Sequence, residues 1–427
     1  MDIFNRKSNL IYLDHNATTP LAQEVIKGIS ESLITDWGNP SSFHPFGARA
    51  KSMVNRARKQ VAEMVHCSPT DVIFTSGGTE ANNMVMYNAV RDFQHYRRFG
   101  SSNKFGEKPH IITSNVEHDS VILPIRHLEE QYSVTFSIVK VTPSGSLNVE
   151  DVLSKITDQT CLISVMFANN ETGVIMPIAN IGKELLEINA ERKKKHLKEI
   201  LFHTDAAQMI GKEPVDFSSL NCHFMTIVGH KFYGPRIGCL IAKTKLYPIF
   251  FGGGQENGLR PGTENTPMIV GLGIAAELVS KNLTTHRQHL LECRKALEKK
   301  LREAFGDEVV INCEKSNRLS NTTNVSFKGT GLEGNLVLSR CENLIASVGA
   351  ACHAGQCSQI LINSGVPLAL AKNAIRLSVG RDTTLTDIED VVSDLKTALR
   401  EKVDVVGLEW GVRRQEVRVP TEKETDA

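Results

Sequence analysis

The stretch Ile200-Leu-Phe-His-Thr-Asp-Ala-Ala-Gln208 reads as a short buried strand with a carboxylate, Asp205, at its C-terminal end. The same strand signal recurs at Asp71-Val-Ile-Phe-Thr, His110-Ile-Ile-Thr-Ser, Val134-Thr-Phe-Ser-Ile-Val and Leu162-Ile-Ser-Val-Met-Phe. Between these runs lie helical patterns. Ala50, Met53, Val54, Ala57, Val61, Met64 and Val65 form an apolar stripe at helical spacing. Such alternation predicts an α/β fold whose mostly parallel sheet is covered on both faces. Ligands bind at the C-terminal edge of such sheets.

The pattern changes after about residue 265. Residues 268–305 read as one long helix with a charged face. Strands are predicted near Val309-Val-Ile-Asn and Thr323-Asn-Val-Ser-Phe, and helices over 331–340 and 385–401. This is the signature of a smaller α+β domain. The expected organisation is a large domain over 21–265 and a small C-terminal domain over 266–403. Residues 1–20 are expected to join the small domain, and the polar tail 404–427 to be disordered. Residues 95–108 and the charged run 191–199 read as surface excursions, the second as a solvated helix end.

Composition narrows the function classes. The 427 residues are 41% hydrophobic and 23% charged, which excludes disorder as the dominant state. Lys plus Arg is 49 against 48 for Asp plus Glu, so there is no global drive toward nucleic acid or an anionic membrane. No stretch approaches the roughly 20 apolar residues of a membrane span. The opening Met1-Asp-Ile-Phe-Asn-Arg-Lys-Ser lacks the apolar core of a secretory signal, so a cytosolic setting is expected. The nine cysteines are odd in number, scattered, and show no Cys-x-x-Cys spacing. That argues against both a disulfide framework and a structural zinc site.

Five segments carry chemistry. In Thr75-Ser-Gly-Gly-Thr-Glu-Ala-Asn-Asn83, a Gly-Gly turn and the Thr79 hydroxyl precede a helix, an arrangement that can bind phosphate but is often only a loop. Asp205 is either a helix cap or the partner of a protonated heteroaromatic nitrogen. Lys231, in Thr226-Ile-Val-Gly-His-Lys-Phe-Tyr-Gly-Pro-Arg-Ile-Gly238, follows an apolar run among Gly, His and aromatic residues, a setting that favours imine formation over a snorkelling surface role. His118 and Asn170 stand past strand ends, where an imidazole can stack on a flat ring and move protons. Cys352, in Ser347-Val-Gly-Ala-Ala-Cys-His-Ala-Gly355, lacks the apolar neighbours of a buried cysteine and reads as a reactive thiolate. Cys352, His353 and Cys357 could also be metal ligands, but no fourth partner is evident, so no metal is assigned.

Together these segments resemble the NifS-like family of pyridoxal-phosphate enzymes, the cysteine desulfurases and selenocysteine lyases. The resemblance runs from Tyr12-Leu-Asp-His-Asn-Ala-Thr-Thr-Pro20 to about Arg381. It includes, in the family's order, Gly38-Asn-Pro-Ser-Ser42, the 75–83 loop, Asn169-Asn-Glu-Thr-Gly173, Asp205-Ala-Ala-Gln208, Gly229-His-Lys231, Arg260-Pro-Gly-Thr-Glu-Asn265 and Ile375-Arg-Leu-Ser-Val-Gly-Arg381.

The resemblance implies a PLP-dependent transferase fold (fold type I) and pyridoxal 5'-phosphate as cofactor. It implies that Lys231 bonds the cofactor, Asp205 pairs with its pyridine nitrogen and Gln208 with its ring hydroxyl. His118 would stack on the ring with Asn170 beside it, and Gly78, Thr79 and His230 would hold the phosphate. Thr263 would reach the phosphate of the other subunit of a homodimer. Arg376 would hold the substrate carboxylate, and Cys352 would be the catalytic cysteine. One position departs from the family: Val228 stands where desulfurases usually carry a phosphate-contacting Ser.

The loop Gly349-Ala-Ala-Cys-His353 resembles the selenocysteine-lyase branch, as do Gly365-Val-Pro-Leu-Ala-Leu-Ala-Lys372 and Phe251-Gly-Gly-Gly-Gln-Glu256. That branch implies L-selenocysteine as substrate, L-alanine as product, and a selenophosphate synthetase as a natural acceptor of the selenium. The rival reading is a cysteine desulfurase that forms a persulfide on Cys352. An aminotransferase and a cofactor-less scaffold are weaker alternatives.

Overall fold

The structure, a computed structural model, describes residues 10–99, 108–349 and 357–400. In chain order the first elements are β1 (Ile11–Tyr12), α1 (Gln23–Thr35), α2 (Pro45–Val65), β2 (Val72–Thr75), α3 (Gly78–Phe99), β3 (His110–Ser114), α4 (Asp119–Tyr132) and β4 (Thr135–Val139). Then follow α5 (Val149–Leu153), β5 (Thr160–Ser164), α6 (Ile178–Lys194), β6 (Leu201–Asp205), β7 (Phe224–Val228), β8 (Gly238–Ala242) and α7 (Thr266–Phe305). The last part holds β9 (Val309–Ile311), β10 (Thr322–Phe327), α8 (Gly334–Arg340), β11 (Leu344–Ile345), α9 (Gln359–Asn363), α10 (Leu368–Lys372), β12 (Ala374–Ser378) and α11 (Leu385–Arg400).

The central sheet has seven strands in the order β2-β8-β7-β6-β5-β3-β4. Only β8 runs against the rest, pairing antiparallel with both β2 and β7. Every residue of β5, β6 and β7 is buried, as strands covered on two faces must be. Successive side chains point to opposite faces. Val72 and Phe74 of β2 therefore join a core with α1, α2, α6 and the first part of α7, while Ile73 joins a second core with α3 and α4.

A third core gathers Leu13, β10, β12 and α11 around the later part of α7. The 40-residue α7, roughly 60 Å long at 1.5 Å per residue, thus serves two cores. Ile269, Leu272 and Val279 lie in the first and Leu290, Leu297 and Leu301 in the third. β9 and β12 flank β10 in an antiparallel sheet, and β1 pairs with β11.

Two local expectations are corrected. Residues 95–99 are not an excursion but the end of α3; residues 100–107 lie outside the described ones. The run 191–199 is not wholly solvated. Arg192 is buried, and its guanidinium donates to the backbone oxygens of Lys198, Thr157, Asp158 and Thr160. The tail 404–427 lies outside the described residues.

Candidate active site

The C-terminal ends of the strands open onto a cavity of about 330 Å³. Its lining contains Gly78 and Thr79 from the start of α3, His118 from the β3–α4 turn and Asn170 from the loop after β5. Asp205 closes β6, Gln208 follows it, and Val228, His230 and Lys231 come from the end of β7. Arg376 projects from β12, so residues of two different sheets meet here. Nine of the eleven expected site residues share this one lining. Thr263 is exposed and is not part of it. Cys352 lies outside the described residues.

Backbone geometry explains how each group is held. Lys231 ends a single 3-10 turn, Gly229–Lys231. A Cβ on Gly229 would sit 2.5 Å from the Pro235 oxygen, so the turn closes only over glycine. The segment around residues 14–19 lies against it, with Thr19 N donating to His230 O at 2.9 Å. Lys231 Nζ donates to the backbone oxygens of Asn16 (2.9 Å) and Ala17 (2.8 Å).

Asp205 is buried and fixed twice. Its Oδ1 accepts from Ala207 N at 2.9 Å, the turn contact expected of a cap. Its Oδ2 accepts from Asn82 Nδ2 at 2.8 Å. The second N–H of Asn82 donates to Ser120 Oγ at 2.8 Å, and Ser120 Oγ lies 2.8 Å from His118 Nδ1. His118 also caps α4, its Nδ1 accepting from Ser120 N at 3.1 Å. An accepting Nδ1 leaves the ring proton of the neutral imidazole on Nε2. A directed chain therefore links Asp205 to His118 through Asn82 and Ser120.

His230 Nδ1 lies 3.0 Å from Thr18 Oγ1. Burial, reinforced by the charges of Lys231, Arg236 and Lys212, pulls its pKa down to about 4, so it faces the cavity neutral. Val228 Cγ2 fills the space beside the phosphate loop: a Cβ on Gly78 would come within 2.6 Å of it. Arg376 is buried, with Nη2 on Asp14 Oδ1 at 2.6 Å and Nη1 on Asn170 O at 3.1 Å, while its Nε has no partner.

A second cleft of about 670 Å³ shares His118 and Asn170 with the first. Gly349 and Cys357, which flank the undescribed segment 350–356, line it, and so does Glu171. Ser358 Oγ donates to Glu171 Oε2 at 2.5 Å.

Sequence reasoning missed Asn16, Asn82, Ser120 and Lys212. Asn82 stood inside the quoted 75–83 segment, one turn past Gly78, where helical spacing alone brings it to the same face. The others carried no signal beyond their neighbourhood.

The donor set fits a small anionic aromatic cofactor. Among the described lining residues Lys231 and Arg376 share the cavity with a single carboxylate, Asp205, which keeps lone pairs for one more donor. A lysine on a flexible stem opposite a buried aspartate, between a helix N-terminus and an arginine, defines the class of pyridoxal-phosphate-dependent enzymes, whose cofactor is pyridoxal 5'-phosphate.

The chain belongs to the aminotransferase class-V family, whose model matches residues 11–391. It is 46% identical to a selenocysteine lyase of Rattus norvegicus over 93% of this chain and 95% of that one. It is 34% identical to the cysteine desulfurase IscS of Rickettsia massiliae, over 96% and 98%. Among solved structures, a NifS-like protein aligns with a TM-score of 0.79 at 29% identity, covering 91% of this chain and 99% of that chain.

Proposed function

We propose that this enzyme decomposes L-selenocysteine to L-alanine and releases the selenium as selenide. The observation that carries the substrate choice is the higher identity to a selenocysteine lyase than to a cysteine desulfurase, at near-complete coverage of both. Lys231 would hold the cofactor by its aldehyde carbon, Asp205 by the pyridine nitrogen and Gln208 by the ring hydroxyl. Gly78, Thr79 and His230 would hold the phosphate, His118 and Asn170 the ring face. When bound, the cofactor supplies an electron sink for the substrate α-carbon.

The chain's own residues do the rest. Arg376, held at Nη2 by Asp14 and at Nη1 by the Asn170 oxygen, binds the substrate carboxylate from the cavity wall. The released Lys231 amine moves the proton at the α-carbon, and His118 Nε2 carries the second exchangeable proton. Asp205, pinned by Asn82 and Ala207, stands as acceptor opposite the ring nitrogen. Cys352 meets the leaving selenium. A thiol has a reference pKa of about 8.5, whereas a selenol is already ionised at neutral pH and its carbon bond is weaker. Loss of selenium from selenocysteine leaves alanine, and two electrons and two protons from a thiol reductant carry the selenium to selenide.

The reading includes a homodimer. In its support, Arg260 ties the 260–265 loop to the first turn of α3 through Glu80 (Nε–Oε1 2.8 Å), while Thr263 stays exposed for a partner's phosphate. Phe250 and Phe251 are exposed beside the same helix. A cytosolic setting, supported by the free thiols of all the described cysteines, and transfer of selenide to a selenophosphate synthetase complete the proposal.

The test is alanine formation from L-selenocysteine and from L-cysteine by protein loaded with pyridoxal 5'-phosphate, alongside Lys231→Ala and Cys352→Ala. Turnover of selenocysteine alone, lost in both variants, is the expected result. Comparable turnover of cysteine with a persulfide on Cys352 would make the enzyme a desulfurase.

A further inference from the structure

One buried lysine behind Gln208 and Asn16 has no part in the chemistry above. Lys212 is 4% exposed. Its Nζ donates to Gln208 Oε1 at 2.6 Å and to Asn16 Oδ1 at 3.0 Å. Gln208 Nε2 donates to the Asn16 backbone oxygen at 3.0 Å, the same oxygen that accepts from Lys231. Asn16 is itself pinned, its Nδ2 donating to Thr322 Oγ1 at 2.8 Å and its N to Ser378 Oγ at 3.0 Å.

A buried ammonium held by two neutral amides is costly. Glu213, the carboxylate whose charge acts on it, is committed to Arg287 Nε and to Ser320 N. Burial draws Lys212 well below the ordinary lysine range, and the charges of Lys231 and Arg376 act the same way, against Glu213. His15 and His230 feel its charge in turn. An apolar side chain of similar length would fill this space at lower cost, so packing alone does not account for a lysine.

Its hydrogen-bonding chemistry does. Both bonds of Lys212 Nζ run to amide oxygens, so it holds Gln208 by its acceptor end. While Lys212 holds Gln208 Oε1, the amide cannot flip, and its remaining N–H is the end left for the cavity. We propose that Lys212 is a positioning residue that locks the Gln208 amide with its N–H toward the ring oxygen of the cofactor. This rests on the assignment of Gln208 to the ring hydroxyl made above. Without the lock, Gln208 would be held only through Nε2 by the Asn16 backbone oxygen, which Lys231 shares, so its N–H would face the ring oxygen less of the time and the ring oxygen would become more basic.

The experiment titrates the visible absorbance of the cofactor-loaded enzyme against pH for the wild type, Lys212→Met, Gln208→Ala and the double variant, with thermal melting of each cofactor-free protein. Losing a donor on the ring oxygen favours the protonated form of the chromophore. Lys212→Met should therefore raise the midpoint, by about half to one pH unit, and weaken cofactor binding about tenfold, whatever it does to the melting temperature. Gln208→Ala should raise it similarly, and the double variant no further than Gln208→Ala alone.

A merely structural lysine would lower the melting temperature and leave the midpoint in place, which overturns the proposal, as would additive shifts. If Gln208→Ala itself leaves the midpoint unmoved, the ring-hydroxyl assignment fails and the inference fails with it. Should Lys212→Met be insoluble, Lys212→Leu carries the same comparison.

Discussion

At the scale of single residues, Gly78 and Val228 make a tight contact in the site. The Val228 isopropyl group leaves no room for a Cβ on Gly78. Gly78→Ala should push the loop or Val228 out of place, an overpacking cost of about 1–3 kcal/mol. Cofactor titration should then show roughly tenfold weaker binding, since 1.4 kcal/mol is about a factor of ten. Val228→Ala on top of Gly78→Ala should recover most of it; failure to recover would mean that Val228 is not the obstacle. The residues legible in the sequence were those whose type is incongruous where it stands, such as Asp205 at the end of a buried strand and Lys231 after an apolar run. Asn16, Asn82, Ser120 and Lys212 were not legible for the opposite reason. Each is an ordinary polar residue locally, and its role exists only because distant segments close on it: Asn16 reaches Thr322, and Asn82 reaches Asp205 across the sheet.

At the scale of elements, alternation exposed most of the parallel strands, and β3 runs over the five residues whose apolar character announced it, His110–Ser114. The reversed strand β8 was harder to see. Gly238-Cys-Leu-Ile-Ala is short and begins with glycine, and its direction depends on pairing with β2 and β7 rather than on its own pattern. The charged run at the end of α6 misled for a different reason. Charge predicts solvation on average, but a guanidinium can be buried where enough carbonyls converge. Arg192 meets four, from Thr157, Asp158, Thr160 and Lys198, and so sews the end of α6 to the turn that leads into β5. Arg192→Met should strand these oxygens and cost about 3 kcal/mol. A lowered urea midpoint with unchanged slope would show it. Arg192 lies at the N-terminal ends of the strands, about one strand length, roughly 17 Å, from the cofactor cavity. Cofactor affinity in the folded variant should therefore match the wild type; a matching loss of affinity would mean that the two ends of the sheet are coupled.

At the scale of the whole molecule, the cost of the buried polar interior appears as pH dependence. His203 sits in the middle of β6, fully buried between Ser164 Oγ (2.9 Å) and Thr226 Oγ1 (3.1 Å). Burial pulls its pKa down to about 4, so the folded protein keeps it neutral where the unfolded chain protonates it. Stability is thus lost as pH falls from about 6.5 toward 4, by about 3 kcal/mol from this group. His230 and His286, each pulled down to about 4 chiefly by burial, act in the same direction. Glu117 supplies the opposite slope. Its carboxyl accepts from Ser114 Oγ at 2.6 Å and from Met166 N at 3.0 Å, yet burial, with the Asp205 charge nearby, pushes it up to about 8. The folded state then holds a proton that the unfolded chain has released, so stability falls as pH rises toward 8. Above 6.5 the histidines no longer contribute, and Glu117 takes away about 2 kcal/mol between 6.5 and 8. Lys212, drawn well below the lysine range by burial, acts against it, because the unfolded chain holds a proton that the folded state gives up more readily. Urea midpoints of the cofactor-free protein should therefore rise from pH 4 to about 6.5, and above that the Glu117 share is the difference between the wild type and Glu117→Gln. Glu117→Gln should gain about 2 kcal/mol on the wild type between 6.5 and 8, because glutamine keeps the volume but has no proton to lose. If the two proteins run parallel from 6.5 to 8, Glu117 is ionised in the folded state, and Ser114 and Met166 then stabilise its charge more than burial opposes it.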